Sequence, residues 1–307
     1  MSTIWQTYQD LVSKVPPPKF SRTRPRFSLT SDIVSYRRCS RQYGFFGNDG
    51  FVPSQATQIF YGTIIHQVLD RCHRHFSGLA EFPKGTMPTE EDIAGYFDEV
   101  ETALKSHGIR PSSAAVREKA LSVLSAFNRI EGPTLYPRVF DTEFRLESDR
   151  ESYVLRGVVD VLASDKSDPS QMEIWDYKGT NMPDLSSSTM QDYLWQMCVY
   201  AELYRVREGV YPAKAVLYFL NELEPAPGDP PFQTRPKRAV KEITFDEDKI
   251  RAALDAFNDT AQTIIQCKNN QCWPNPANVV EKSTCDICDL RWNCQGTQTN
   301  YPLKNPI

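Results

Sequence analysis

The sequence predicts an α/β protein, a mixed central sheet flanked by helices. Three observations carry this expectation. Up to Pro137 the apolar residues recur at helical spacing; after it they alternate with period two through three successive segments; beyond those, one helix and a further strand follow in the order of a crossover. With 307 residues, 40% hydrophobic and 24% charged, the composition is that of a globular chain, and fibrous or wholly disordered classes are excluded.

In chain order, residues 14–27 (KVPPPKFSRTRPRF) hold too much proline for a helix and are expected to form an extended arm. LTSDIVSYRRCSRQYGFF reads as a short helix, with Thr30 or Ser31 placed to accept the first free backbone N–H groups. Longer helices are expected over 58–76, 90–106 and 112–130, with Gly108 and Pro111 marking the last break. RVFDTEFRLE, YVLRGVVDVLA and QMEIWDYKG read as strands, and SDKSDPSQ as the turn between the last two. Helix returns over 190–207, and AKAVLYFLNEL at 213–223 is the next strand. EPAPGDPPFQTRPKR is read as a loop, because AVKEITF beyond it can pair back as an edge strand. A last helix from Asp246 to Cys267 leads into a cysteine-rich tail. The expected divisions are therefore an arm at 1–27, a helical region at 28–137, a core at 138–245, and a helix with its tail at 246–307.

Charge is uneven. Between residues 14 and 41, Lys14, Lys19, Arg22, Arg24, Arg26, Arg37, Arg38 and Arg41 face the single acid Asp32, a balance of +7 in a chain of net charge -4. Arg22, Arg24 and Arg26 are candidates for a phosphate backbone, the alternative being an ordinary solvated surface. The first residues lack the basic-then-apolar pattern of a signal peptide, and no run of 18 apolar residues occurs. A cytoplasmic protein with no membrane partner is expected. In that reducing setting eight cysteines are not expected to form a disulfide framework, and clustered ones point toward a metal.

The chemistry concentrates on two strands. In 154–163, Val154, Val158 and Leu162 share a face with Asp160, while Leu155, Val159 and Val161 line the other. Both faces are apolar, so the strand is central, and a carboxylate in its middle is costly unless it is paired, protonated or bound to metal. In MEIWDYKG, Met172, Ile174, Asp176 and Lys178 point one way, and Glu173, Trp175 and Tyr177 the other. Two residues along a strand span about 6.5 Å, so Asp176 and Lys178 emerge side by side. If the two strands pair, Asp160 joins them, making a site for a hard divalent cation with a cationic partner for phosphate. A structural Asp–Lys ion pair is the plainer alternative. Cys285, Cys288 and Cys294, spaced C-x2-C-x5-C, would by themselves suggest a zinc site lacking one ligand; Cys39 stands far upstream. Cys72, Cys198, Cys267 and Cys272 fit no ligand pattern.

These pieces resemble the PD-(D/E)XK nuclease superfamily and, within it, the RecB-like nucleases. The resemblance rests on GVVD (Gly157 to Asp160), DYKG (Asp176 to Gly179), QMCVY (Gln196 to Tyr200) as the QxxxY element, and GTIIH (Gly62 to His66) upstream. It covers roughly residues 28–296 and implies a restriction-endonuclease-like sheet carrying a helical insertion. It further implies a metal-dependent deoxyribonuclease, expected to be an exonuclease. His66, Asp160, Asp176 and the carbonyl of Tyr177 would hold Mg2+ or Mn2+, Lys178 would orient water, and Gln196 and Tyr200 would position the lysine or its strand. Glu143, on the first strand, is a candidate for the outer shell of the metal; Glu173, on the opposite face, is not expected to be a ligand. The branch that includes CRISPR-associated exonucleases, AddB-type helicase-nuclease subunits and exonuclease V places one cysteine before the core and three after it around a 4Fe-4S cluster. Cys39, Cys285, Cys288 and Cys294 match that layout, so the cluster would join the two chain ends. DNA, single-stranded or with single-stranded ends, is the implied partner, with a helicase or a CRISPR integrase as a further one. Repair, recombination, phage defence and CRISPR adaptation all stay open. The rival reading is a non-catalytic DNA-end-binding or scaffold subunit, against which stands the intact set of Asp160, Asp176 and Lys178.

Overall fold

The computed structural model describes residues 24–47, 57–78 and 82–276 and, in the tail, residues 280, 282–286, 288–292 and 294. Most of the arm expected at 1–27, Arg22 included, lies outside the described residues.

Six strands form one mixed sheet: β1 (Arg26–Ser28), β2 (Val139–Asp149), β3 (Val154–Ser164), β4 (Met172–Lys178), β5 (Lys214–Phe219) and β6 (Val240–Ile243). Along one edge of β3 runs β2, antiparallel, from Val139↔Ala163 to Asp149↔Val154. Two strands share the other edge. β1 lies parallel to its beginning (Arg26↔Val154 to Ser28↔Arg156), and β4 antiparallel to its end (Val161↔Trp175 to Ser164↔Met172). Between these two ladders, residues 157–160 of β3 have no strand partner on that edge among the described residues. β4 and β5 are parallel, as the predicted crossover requires, and β6 closes the far edge antiparallel to β5.

The helices are α1 (Ser35–Arg38), α2 (Ser40–Gly47), α3 (Thr57–Ser77), α4 (Glu90–Ser106), α5 (Ala114–Ile130), α6 (Gly132–Leu135), α7 (Ser188–Glu208), α8 (Glu247–Asn270) and α9 (Lys282–Asp286). Their ends are written in the sequence. Thr89 and Asp92 form a capping box at the start of α4, Ser113 and Ser187 cap α5 and α7, and Gly209 ends α7 in the left-handed conformation at φ 82°. Each face of the sheet carries a core. On one, Leu155, Val159 and Leu217 pack with Met197 and Leu203 of α7 and Phe257 of α8. On the other, Val161, Trp175 and Tyr218 pack with Ile64 of α3, Phe97 of α4 and Phe127 of α5. Each such buried side chain contributes about 1.5–3 kcal/mol.

Three expectations need correction. The segment from Leu29 is not one helix: a π-helical turn (Leu29–Val34) precedes α1, and Cys39, extended at φ -159°, separates α1 from α2. Its cap is Ser28, not Thr30 or Ser31; the Ser28 hydroxyl accepts the N–H of Ser31 while Asp32 accepts the N–H of Ser28. The strand expected at 213–223 ends at Phe219 and continues as a 3-10 turn over Leu220–Leu223. Finally, β3 does not alternate throughout. Leu155 and Val159 enter the first core, but Val161 enters the second and Leu162 the first, so the faces exchange at Asp160. The cause is opposite: Glu143 sits at φ 50°, between Thr142↔Val161 and Phe144↔Val159, and the two strands turn over together there.

Candidate active site

The unpaired stretch of β3 opens into a cleft of about 820 Å³, whose walls include Ser28, Gly62, His66, Asp160, Lys178 and Tyr193. Asp160 is placed by the break in the ladder. Where a backbone carbonyl of β3 would come next after Val161↔Trp175, the Asp160 carboxylate instead accepts the N–H of Tyr177 at 2.7 Å. From α3, His66 reaches down so that its Nδ1 lies 3.3 Å from the same Oδ2.

A second pair stands beside it. Lys178 Nζ is 2.6 Å from Asp176 Oδ2, and Gln196 ties both: its Oε1 accepts from Lys178 at 3.1 Å and its Nε2 donates to Asp176 Oδ1 at 3.1 Å. The same Nε2 lies 3.0 Å from the Tyr200 hydroxyl, one turn on along α7, and the backbone N–H of Val158 donates to that hydroxyl. Gly157 makes this possible, since a Cβ there would stand 2.7 Å from the Tyr200 ring. Beneath the ammonium of Lys178 lies the Tyr193 ring, 4.4 Å away at its centroid.

Electrostatics follow from burial and these pairings. Burial would lower the His66 imidazole, but the Asp160 carboxylate more than reverses this and raises it to about 9. Burial pushes Asp160 up, and His66 with the Tyr177 N–H pulls it below the usual carboxylate value. For Asp176 burial wins over Lys178 and the carboxyl is raised, while Lys178, although buried, is held charged by Asp176. Glu143 is raised by burial and then by Asp160. Asp70, Glu143, Asp160 and Asp176 all line the cleft, with Lys178 as its only lysine or arginine among the described residues. Such a concentration of carboxylates attracts a divalent cation.

The donor atoms of His66, Glu143 and Asp160 lie within 4.8 Å of one another. One imidazole with carboxylates suits Mn2+ or Mg2+. This grouping differs from the expected one: Glu143, assigned above to the outer shell, stands with His66 and Asp160, whereas Asp176 is turned to Lys178 and Gln196. Asp176 and Tyr177 line the same cleft. Strand pairing carried the missing signal, because a turn between Asp149 and Val154 aligns Glu143 with Asp160. Sequence reasoning also did not place Ser28 and Thr30 at this site.

Other candidates lie elsewhere. Arg24 forms an ion pair with Asp149 at 2.7 Å and donates to the carbonyl of Arg150, and Arg26 stands beside Val154, six residues or about 20 Å along β3 from Asp160. Glu173 is buried against Arg138 at 2.6 Å and Trp175 Nε1 at 2.8 Å, on the far side of the sheet from Asp176. His73 is buried, with its Nε2 3.0 Å from the Tyr177 hydroxyl.

The four cysteines singled out in the sequence come together. Cys39, Cys285, Cys288 and Cys294 line one cavity of about 30 Å³, walled further by Phe45 and Leu290. Burial raises the thiols of Cys39 and Cys285, and the neighbouring sulfurs raise both further. Four sulfurs around one cavity, with Phe45, Val280 and Leu290 beside them, fit a thiolate-bound metal group. Around it α1 and α2 are joined to the segment after α8 by protein contacts. Trp273 lies edge-on to Tyr43 and tilted against Tyr36, Ser40 donates to the carbonyl of Pro274 at 2.9 Å, and Arg41 reaches Asn275 at 2.9 Å. Cys72 and Cys198 are buried, the first in the core behind the sheet and the second beside α8; Cys272 is exposed.

A family model described as the PD-(D/E)XK nuclease superfamily matches residues 27–295. No curated protein matches. Among solved structures, a protein from Eubacterium rectale described as a "putative exonuclease" superposes with a TM-score of 0.52 at 14% identity, over 94% of each chain. At that identity the likeness is one of fold. A second structure, that of SSO0001, gives a TM-score of 0.33 at 14% identity over 86% of this chain and 97% of the other, too loose to argue from.

Proposed function

Because the chain belongs to the PD-(D/E)XK nuclease superfamily, we propose that it hydrolyses DNA phosphodiesters, as an exonuclease, with a divalent cation held in the cleft. One observation carries the reading: the Lys178–Asp176–Gln196 set stands beside the His66–Asp160 pair in a single open cleft. His66, Asp160 and Glu143 would hold the cation, with Asp176 and the Tyr177 carbonyl on the same wall. When bound, it polarises a phosphoryl oxygen and acidifies a water.

The chain's own residues do the rest. Lys178, kept cationic by Asp176, orients the attacking water and offsets charge growing on the phosphoryl oxygens. Gln196 holds the lysine and Asp176 in one geometry, so neither rotates away. Tyr200 anchors Gln196 to β3 through the Val158 N–H. Cys39, Cys285, Cys288 and Cys294 are the ligands of a 4Fe-4S cluster in this reading, and its part is structural. Repair or recombination, phage defence and trimming of DNA for CRISPR adaptation all suit this chemistry, with a helicase or integrase supplying the strand.

Cleavage of labelled single- and double-stranded DNA in Mg2+ or Mn2+ is the test. Lys178→Ala is expected to slow cutting by about 10²–10³-fold while DNA binding persists. Undiminished cutting by this variant, or no cutting by the brown, cluster-containing parent in either metal, would sink the reading.

A further inference from the structure

The sheet does not end at the cleft. Beyond Asp160, away from α3, β1, the first half of β3 and the second half of β2 continue as a three-stranded platform. One side of it is core, formed by Phe27, Leu155, Phe144 and Leu146. On the other side, strand pairing places Arg26 and Ser28 of β1, Arg156 and Val158 of β3, and Arg145 and Glu147 of β2. These are exposed or half-exposed, and Val158 is 39% exposed, unusual for a valine on a central strand. The geometry points to this face as the docking floor for a single strand of DNA entering or leaving the cleft, an assignment that rests on the nuclease reading above.

Three observations converge on that occupant. First, the face is continuous with the cleft, because Ser28 and Val158 line both. Second, its charges are sorted. Glu147 is neutralised by Arg156 at 2.8 Å and Asp149 by Arg24 at 2.7 Å, while Arg26 and Arg145 form no ion pair among the described residues, Arg145 feeling only the more distant charge of Glu143. Arg145 stands opposite Val158, next to the cleft, and Arg26 opposite Val154 at the far end. Phosphates would meet these two guanidinium groups about 13 Å apart along β3, with the apolar surface of Val158 under the bases beside Arg145. Third, the platform is three strands wide, about 10 Å, which accommodates one nucleic-acid strand laid along it. Among the described residues the acidic cleft offers the backbone Lys178 and the His66 imidazole held by Asp160, so further cationic contacts would come from such a flank.

Equilibrium binding of a short single strand to the full-length protein in Ca2+, across a salt series, tests the assignment. Arg26→Ala and Arg145→Ala should each weaken binding several-fold and reduce the slope of log K against log salt by about 0.7, and the double variant by about 1.4. Arg129→Ala, on α5 away from this face, should do neither. In Mn2+, both variants should raise the KM for single-stranded DNA, a change that Arg129→Ala should not produce. Unchanged slopes in both variants would overturn the assignment, as would an equal loss for blunt duplex, which would mean that the face takes both strands. A parent that binds but does not cut would overturn the nuclease reading alone, since the slopes would still report whether the strand lies here.

Discussion

Gly62 shows how a residue can be held by space rather than by packing. It lies inside α3, where glycine costs about 1 kcal/mol relative to alanine, yet a Cβ there would meet nothing within 4 Å. What the missing methyl preserves is the cleft above His66. Gly62→Ala is therefore expected to raise the melting temperature while lowering cleavage by about tenfold or more, since small displacements at a reacting centre are costly. A variant that is both more stable and fully active would contradict this. Glu143 gives the complementary case. Its carboxylate stands with His66 and Asp160 on backbone at φ 50°, a conformation costing on the order of 1 kcal/mol for a non-glycine residue. Glu143→Gln should raise the Mn2+ concentration needed for half-maximal cutting by about tenfold or more. Glu143→Gly, which relieves the backbone, should not restore it.

At the scale of elements, the junction between α2 and the segment after α8 is the most sensitive to added volume. A Cβ on Gly44 would fall 2.3 Å from the Trp273 ring, and overpacking of this kind costs about 1–3 kcal/mol. Gly44→Ala should lower the melting temperature and, on the proposal that the four cysteines hold a cluster, the iron content together, as read by absorbance and metal analysis. Normal iron with normal stability would show that the ring simply moves aside. Element order was legible in the sequence: the crossover helix, the edge strand after the long loop and most helix limits follow from period and caps. The exchange of faces at Asp160 was not. Alternation assumes that a strand keeps its twist, and the left-handed Glu143 that breaks it sits in another strand, where period-two counting on 154–163 cannot see it. For the same reason Asp160, Asp176, Lys178 and His66 could be found from local motifs, whereas the grouping of Glu143 with two of them depends on cross-strand register.

For the whole molecule, stability should depend on pH through His73. Burial holds its imidazole near a pKa of about 3, against about 6.5 in an open chain. Between those values the unfolded chain binds a proton that the folded one refuses, so stability falls as pH drops through the window from 6.5 to 3. This one group contributes about 1.4 kcal/mol per pH unit. Urea unfolding at pH 7 and pH 5 measures it, and His73→Phe should flatten the difference; an unchanged slope would assign the acid sensitivity to other groups. No described helix is long and apolar enough to cross a membrane.

The contacts that join Tyr36, Ser40 and Tyr43 to Trp273 and Pro274 close a loop of more than two hundred residues. During synthesis, every strand of the sheet leaves the ribosome before Trp273 does, and Cys285, Cys288 and Cys294 come later still. Ser28 and Thr30 are thus held at the rim of the cleft by β1 and the core, while α1 and α2 behind them are closed only when Trp273 arrives. A chain that stalls before Trp273 can build the sheet, β1 included, but leaves Tyr36, Ser40 and Tyr43 without the partners that hold α1 and α2 in place.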